Sequence, residues 1–209
     1  MSHPQQSLKD LAEIRQIMEQ STRFLSLSGL SGVSAGIIAL IGAWFTNIYL
    51  IEWELEAAFS SMMGVEVRYN HLWDLVGIAL LILVAAGASA SIFTIRRSKK
   101  QGVKIWNKPA RRMALNLMIP LVVGAIFCVE MAWHGMALLV APATLVFYGL
   151  ALLNAGKYTL QEIRLLGISE IILGLIAGVI PGYGIEFWAL GFGVLHIVYG
   201  ALMYFKYER

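Results

Sequence analysis

The chain has 209 residues, of which 58% are hydrophobic and only 14% charged, and its mean hydropathy is +0.71. Soluble domains carry about a quarter charged residues and just under half apolar ones, whereas the apolar residues here fall in blocks of membrane-span length. That excludes a soluble enzyme, a disordered tail and a secreted disulfide scaffold, the last because Cys128 has no second cysteine to pair with.

Residues 1–23 are polar, with no apolar h-region of a signal peptide, so the first span is expected to act as an uncleaved insertion signal. Ser7–Gln20 reads as a short amphipathic helix on the cytoplasmic surface. Leu8, Leu11, Ile14 and Met18 recur at helical spacing, and Ser7 stands three residues before Asp10 as in a capping box. Its charges balance, so it is no polybasic lipid clamp.

The rest reads as one all-α, polytopic domain, residues 24–209, with six transmembrane helices at about 24–50, 72–95, 113–133, 136–154, 165–180 and 185–205. At 1.5 Å per residue each crosses a hydrocarbon core of ~30 Å, the fifth only marginally. His134–Gly135 links the third and fourth, and Pro181–Gly182–Tyr183–Gly184 links the fifth and sixth. Links this short make antiparallel neighbours, so three helical hairpins are predicted. Pro120 should kink the third span and free a carbonyl near Asn116.

Charge sets the orientation. With the N-terminus inside, 15 of the 16 Lys and Arg residues fall on inner segments and only Arg68 lies outside. Both termini are then cytoplasmic. The loop 96–112 holds eight basic residues and no acidic one. Between two spans it is a topogenic loop against anionic phospholipid, and nucleic acid is not its partner. The outer stretch Ile51–His71 is acidic, through Glu52, Glu54, Glu56 and Glu66, and Leu55, Phe59, Met62 and Met63 suggest a helix lying on the outer surface until Gly64. Trp53, Trp73, Trp133 and Trp188 mark the outer boundary.

Two echoes suggest duplicated hairpins. Gly29–Leu30–Ser31 with Gly36–Ile37–Ile38–Ala39 returns as Gly167–Ile168–Ser169 with Gly174–Leu175–Ile176–Ala177, and Tyr148–Gly149 returns as Tyr199–Gly200. Apolar sequence of low complexity also produces such matches by chance. Small pairs at Gly32/Gly36, Gly174/Gly178 and Gly178/Gly182, and the run Ala85–Ser91, would let backbones approach closely.

An ionisable group inside a span costs at least ~2.5 kcal/mol, so each one calls for a partner or a purpose. Two sets stand out. His71 and Asp74 at the outer mouth of the second span, with Glu130 and His134 at the outer end of the third, would form a first shell for Zn²⁺ or another divalent metal if those spans pack together. Ordinary interfacial polarity is the simpler account of His71, Asp74 and His134, whereas Glu130 is harder to dismiss. Glu170 in the fifth span and His196 near the middle of the sixth form an intramembrane carboxyl–imidazole pair able to relay protons or bind a cation. A neutral interhelical hydrogen bond is the plainer account. No phosphate loop, dinucleotide fingerprint, His-Glu-x-x-His, Gly-x-Ser-x-Gly or Cys-x-x-Cys is present.

Residues 8–42, from Leu-Lys-Asp-Leu-Ala-Glu-Ile-Arg through Ser-Thr-Arg-Phe-Leu-Ser-Leu-Ser-Gly to Ala-Gly-Ile-Ile-Ala-Leu-Ile-Gly, resemble the opening of an uncharacterised family of small bacterial multi-span inner-membrane proteins. The resemblance implies a multi-pass protein of the bacterial inner membrane and supplies no catalytic residue. The expectation is a non-enzymatic protein that binds or conducts a small solute or ion, or regulates a partner, as a homo-oligomer or beside a membrane partner. A metal-dependent hydrolase at the outer face and a structural accessory subunit are the alternatives.

Overall fold

The computed structural model describes residues 23–63 and 71–209, and among these it is all helix apart from turns and short connections. The expected surface helix Ser7–Gln20, together with Gly64, Glu66 and Arg68, lies outside the described residues. In chain order come α1 (Gly29–Met62), α2 (His71–Lys100), α3 (Lys108–Trp133), a 3-10 turn Ala137–Leu139 leading into α4 (Val140–Ala155), and α5 (Gln161–Val179). The last span begins as α6 (Gly184–Trp188), widens into a π-helix over Ala189–Leu195 and ends as α7 (His196–Tyr207).

Among the described residues, five helices are long and apolar enough to cross a membrane: Gly29–Ser60, Trp73–Lys100, Lys108–Trp133, Ala137–Tyr158 and Gly184–Tyr207. The fifth of the six expected spans, α5, has the length, 19 residues, but holds Glu162, Arg164 and Glu170. The outer surface helix expected over Ile51–Met63 is instead the continuation of α1. That helix runs 34 residues, about 51 Å at 1.5 Å per residue, well beyond a hydrocarbon core of ~30 Å. Leu55, Phe59 and Met62 all remain exposed on it. At the other end α1 starts later than expected. Residues 24–28 are bonded elsewhere: the Phe24 N–H donates to the Tyr158 carbonyl at 2.7 Å, and the Thr159 hydroxyl donates to the Phe24 carbonyl at 2.7 Å. Helix α3 opens on an Asn107 cap whose side chain accepts from the Ala110 N–H, and it continues through Pro120.

The hairpin scheme holds for α1 with α2 and for α3 with α4, and changes at the end of the chain. Helix α5 packs along α4, and the last span packs along α1, so the fifth and sixth helices touch only lightly. Glycines decide this. A Cβ at Gly149 would lie 2.6 Å from the Gly167 carbonyl oxygen, and one at Gly200 would lie 2.7 Å from that of Gly29. Without hydrophobic force between helices in lipid, such close backbone approach provides the contact. Gly178 by contrast meets only Pro142 Cβ, at 3.9 Å, and Gly182 meets nothing within 4 Å. Helices α2 and α3 do not pack along one another; each covers the outside of the helix it pairs with.

Candidate functional site

Three polar side chains meet in the interior from three helices. Glu170 sits near the midpoint of α5, His196 near that of Gly184–Tyr207 and Tyr148 near that of Ala137–Tyr158. Glu170 is 0% exposed, and His196 is buried beside it. The His196 Nδ1 lies 3.4 Å from Glu170 Oε1 and 3.1 Å from the Gly191 carbonyl oxygen, while its Nε2 lies 2.7 Å from the Tyr148 hydroxyl.

These distances assign the protons. A carbonyl oxygen can only accept, so Nδ1 carries a hydrogen directed at the Gly191 carbonyl. In the neutral ring Nε2 then accepts from the Tyr148 O–H; in the imidazolium Nε2 donates and the phenol oxygen accepts. The hydroxyl thus serves either state of the ring by rotating. Glu170 is less well provided for. Neither of its carboxyl oxygens has a hydrogen-bond partner among the described residues, and a buried, unpaired carboxyl is costly in a low-dielectric interior.

The π-helix shapes this environment. Its wider turn ends at His196, and the Gly191 carbonyl, within that turn, receives the imidazole N–H. Gly191 also makes room for the acid: a Cβ there would collide with Glu170 Oε2 and would lie 2.5 Å from Leu145 Cδ2 and 3.1 Å from Leu173 Cδ2. The carboxyl is therefore closely walled by leucine and bare backbone. Trp188, Phe192 and His196 recur every fourth residue and form a stack, with centroids 4.7 Å apart for Trp188–Phe192 and 6.0 Å for Phe192–His196. The Tyr148 ring lies 4.8 Å from Phe192, closing the outer side of the cluster. Nearby, the Ser169 and Tyr199 hydroxyls lie 3.2 Å apart.

A second polar assembly joins the chain ends at the basic face. Arg97 pairs with Glu208 at 3.1 Å and donates to the Leu27 carbonyl, and the Ser28 hydroxyl donates to the same carboxylate at 3.2 Å. Ser26 bonds Gln101 at 2.8 Å. Lys206 pairs with Glu162 at 2.7 Å, and the Tyr207 hydroxyl donates to Glu162 at 3.1 Å.

His71, Asp74, Glu130 and His134 are the expected outer metal set. Its premise was that the second and third spans pack together, whereas α2 lies on α1 and α3 on α4. Asp74 accepts from the Tyr49 hydroxyl at 2.8 Å, and Glu130 and His134 are exposed on α3 and at its end. The His71 side chain lies outside the described ones. No group of three or more His, Cys, Asp or Glu side chains placed to hold a metal occurs among the described residues.

The pairing of Glu170 with His196 was read from sequence; Tyr148 and Gly191 were not read as part of it. The available signal for Tyr148 was the echo of Tyr148–Gly149 in Tyr199–Gly200, which points to duplicated hairpins rather than to a site. Nothing in the residue pattern announces the π-helix. No family model, curated protein or solved structure matches the chain. Its five long apolar helices make it a multi-span membrane protein, which is the part of the resemblance of residues 8–42 that is met.

Proposed function

We propose that this is a non-enzymatic, transport-like membrane protein that takes up a proton or another small cation at the Glu170–His196–Tyr148 cluster. In this reading α5 is the sixth transmembrane helix, both termini are cytoplasmic, and the host membrane is a bacterial inner membrane. The observation that carries the reading is Glu170: a wholly buried carboxyl with no hydrogen-bond donor among the described residues, 3.4 Å from an imidazole. A group so costly to place at mid-membrane depth is expected to earn its position through function. The tautomer fixed by Gly191 and the rotatable Tyr148 hydroxyl give an arriving proton a place on Nε2, with Glu170 supplying the countercharge.

Reconstituted liposomes with an internal pH dye test this. An imposed pH or cation gradient should dissipate faster with the wild-type chain than with empty liposomes. Glu170→Gln and His196→Ala should each reduce that rate by about tenfold or more, the scale of losing a group from a proton relay. Wild-type liposomes indistinguishable from empty ones would remove the reading.

A further inference from the structure

We propose that the bundle consists of two equivalent, intertwined helix pairs, α1 with α7 and α4 with α5, and that proton uptake at the Glu170–His196 bridge shifts one pair against the other. The proposal rests on the cluster as the ligand site and adds what binding there does.

The equivalence is visible atom by atom. The sequence echoes align α1 with α5 and α4 with α7, so that Gly29, Val33 and Gly36 correspond to Gly167, Ile171 and Gly174. A Cβ at Gly200 would lie 2.7 Å from the Gly29 oxygen and 2.6 Å from the Val33 nitrogen. One at the corresponding Gly149 would lie 2.6 Å from the Gly167 oxygen and 2.9 Å from the Ile171 nitrogen. Two turns along, Gly36 faces the Gly193 oxygen at 2.6 Å and Ile197 Cγ1 at 2.7 Å. Its counterpart Gly174 faces the Pro142 oxygen at 2.9 Å and Val146 Cγ2 at 2.8 Å, and Pro142 and Val146 are the aligned partners of Gly193 and Ile197. A chance likeness between apolar stretches would not reproduce one register at successive contacts. The pairs are exchanged along the chain: α1 takes its partner from the end of the sequence, while α4 and α5 are consecutive.

Within each pair the helices meet through glycine and backbone. Between the pairs the bonds are polar and several are titratable. Glu170 and Tyr148 from one pair reach His196 of the other, Ser169 reaches Tyr199, and Glu162 reaches Lys206 and Tyr207. The bridge is single, since Gly32 stands at the place equivalent to Glu170 and Leu145 at that equivalent to His196. Around it, α4 presents Tyr148 and α7 presents Tyr199. Helix α1 presents Gly32 and Gly36, and the π-helix has no titratable residue. Farther off, Glu162 and Lys206 lie toward the inner end, Glu186 lies at the outer end on α6, and Glu130 is on α3.

A proton taken up by Glu170 and His196 makes the two together neutral overall, as imidazolium with carboxylate or as imidazole with carboxylic acid, and lets the two helix pairs stay closed around them. Removal of that proton leaves the carboxylate against a neutral ring and the Gly191 carbonyl oxygen, and that neutrality is lost. Two close-packed bodies joined by such a contact respond by moving relative to each other rather than by deforming internally.

The test uses the full chain in liposomes with Cys128→Ala as background and paired spin labels at exposed positions. Phe45 on α1 with Val179 on α5 reports the distance between pairs; Leu138, at the start of α4, with Val179 reports the distance within one. On changing from about pH 5 to about pH 9, a range wide enough for a buried carboxyl or imidazole, the first distance should lengthen and the second should stay fixed. Glu170→Gln and His196→Gln, each checked for a monodisperse elution profile, should abolish the change. A wild-type between-pair distance that ignores pH overturns the proposal even if neither variant folds, as does an equal change within the pair. Flux that depends on Glu170 with pH-invariant distances would leave the transport reading standing and sink this one. Distances that respond to pH in a chain without flux would do the opposite.

Discussion

At Gly191 the absence of one methyl group lets the site exist. The carboxyl of Glu170 and the end of Leu145 converge on the volume that a side chain would occupy, and the carbonyl of the same residue orients the imidazole. Gly191→Ala must push the carboxyl away or widen the helix, and overpacking of this kind costs about 1–3 kcal/mol. Gly87 on α2 is the matched control, because a Cβ there meets nothing within 4 Å. Gly87→Ala should leave stability unchanged or raise it by up to about 1 kcal/mol through the lower backbone entropy of alanine. Thermal unfolding in detergent compares the two directly. Equal melting temperatures would show that the acid has room to move and that Gly191 does not shape its pocket. The contrast also explains why this residue escaped the sequence reading. Among 20 glycines in an apolar chain, Gly191 is distinguished only by the carboxyl that the opposite helix sets against it.

Among the elements, those governed by hydropathy were legible and those governed by contact between helices were not. Long apolar runs located α1 to α4 and the last span to within a few residues in most places, and the four-residue spacing across Pro181–Gly184 announced the turn before α6. Apolar periodicity did not distinguish a surface helix over Ile51–Met63 from a continuation of α1, because an exposed extension and an interfacial helix share one pattern. Nor did it reveal that residues 24–28 leave the helix, since that follows from Tyr158, Thr159, Arg97 and Gln101 arriving from elsewhere. The expected neighbourhood of the fifth and sixth helices placed Glu170 beside His196 correctly although the two helices do not pack along their length. Their turn holds them near enough for two side chains to meet. The premise behind the metal set was less legible: a 96–112 loop long enough to let α2 and α3 separate imposes no packing between them. Equivalence of the two helix pairs makes a prediction here. Gly149→Ala and Gly200→Ala fill the same position in each pair, so each should cost about 1–3 kcal/mol by forcing backbones apart. Unfolding titrations should show similar losses. A neutral result at one position and a large loss at the other would contradict a shared architecture.

For the whole molecule, the distribution of charge is the strongest statement about how it sits in a membrane. Fifteen of 16 basic residues lie on segments assigned to one side, and the same side is stitched by Arg97–Glu208 and Lys206–Glu162. The weak point of a six-span arrangement is α5, with three charged-type residues in 19. Two of them, Glu162 and Arg164, lie in its first turn, where long side chains reach the interface and Glu162 is already paired with Lys206. Only Glu170 then enters the hydrocarbon depth, and it does so facing the bundle rather than lipid. The helix at 1.5 Å per residue is about 28 Å long, just sufficient for a core of ~30 Å with its flanks. Lys157 and Tyr183 flank α5 and are both exposed, so they decide whether it crosses. Single cysteines placed at each, in the Cys128→Ala background, should respond oppositely to a membrane-impermeant maleimide. Tyr183→Cys should label in intact cells, and Lys157→Cys only after the membrane is opened. Labelling of both from one side would leave α5 as a re-entrant or surface helix. Its buried carboxyl would then lie near an interface, where an acid needs no special purpose, and the transport reading would lose its main support.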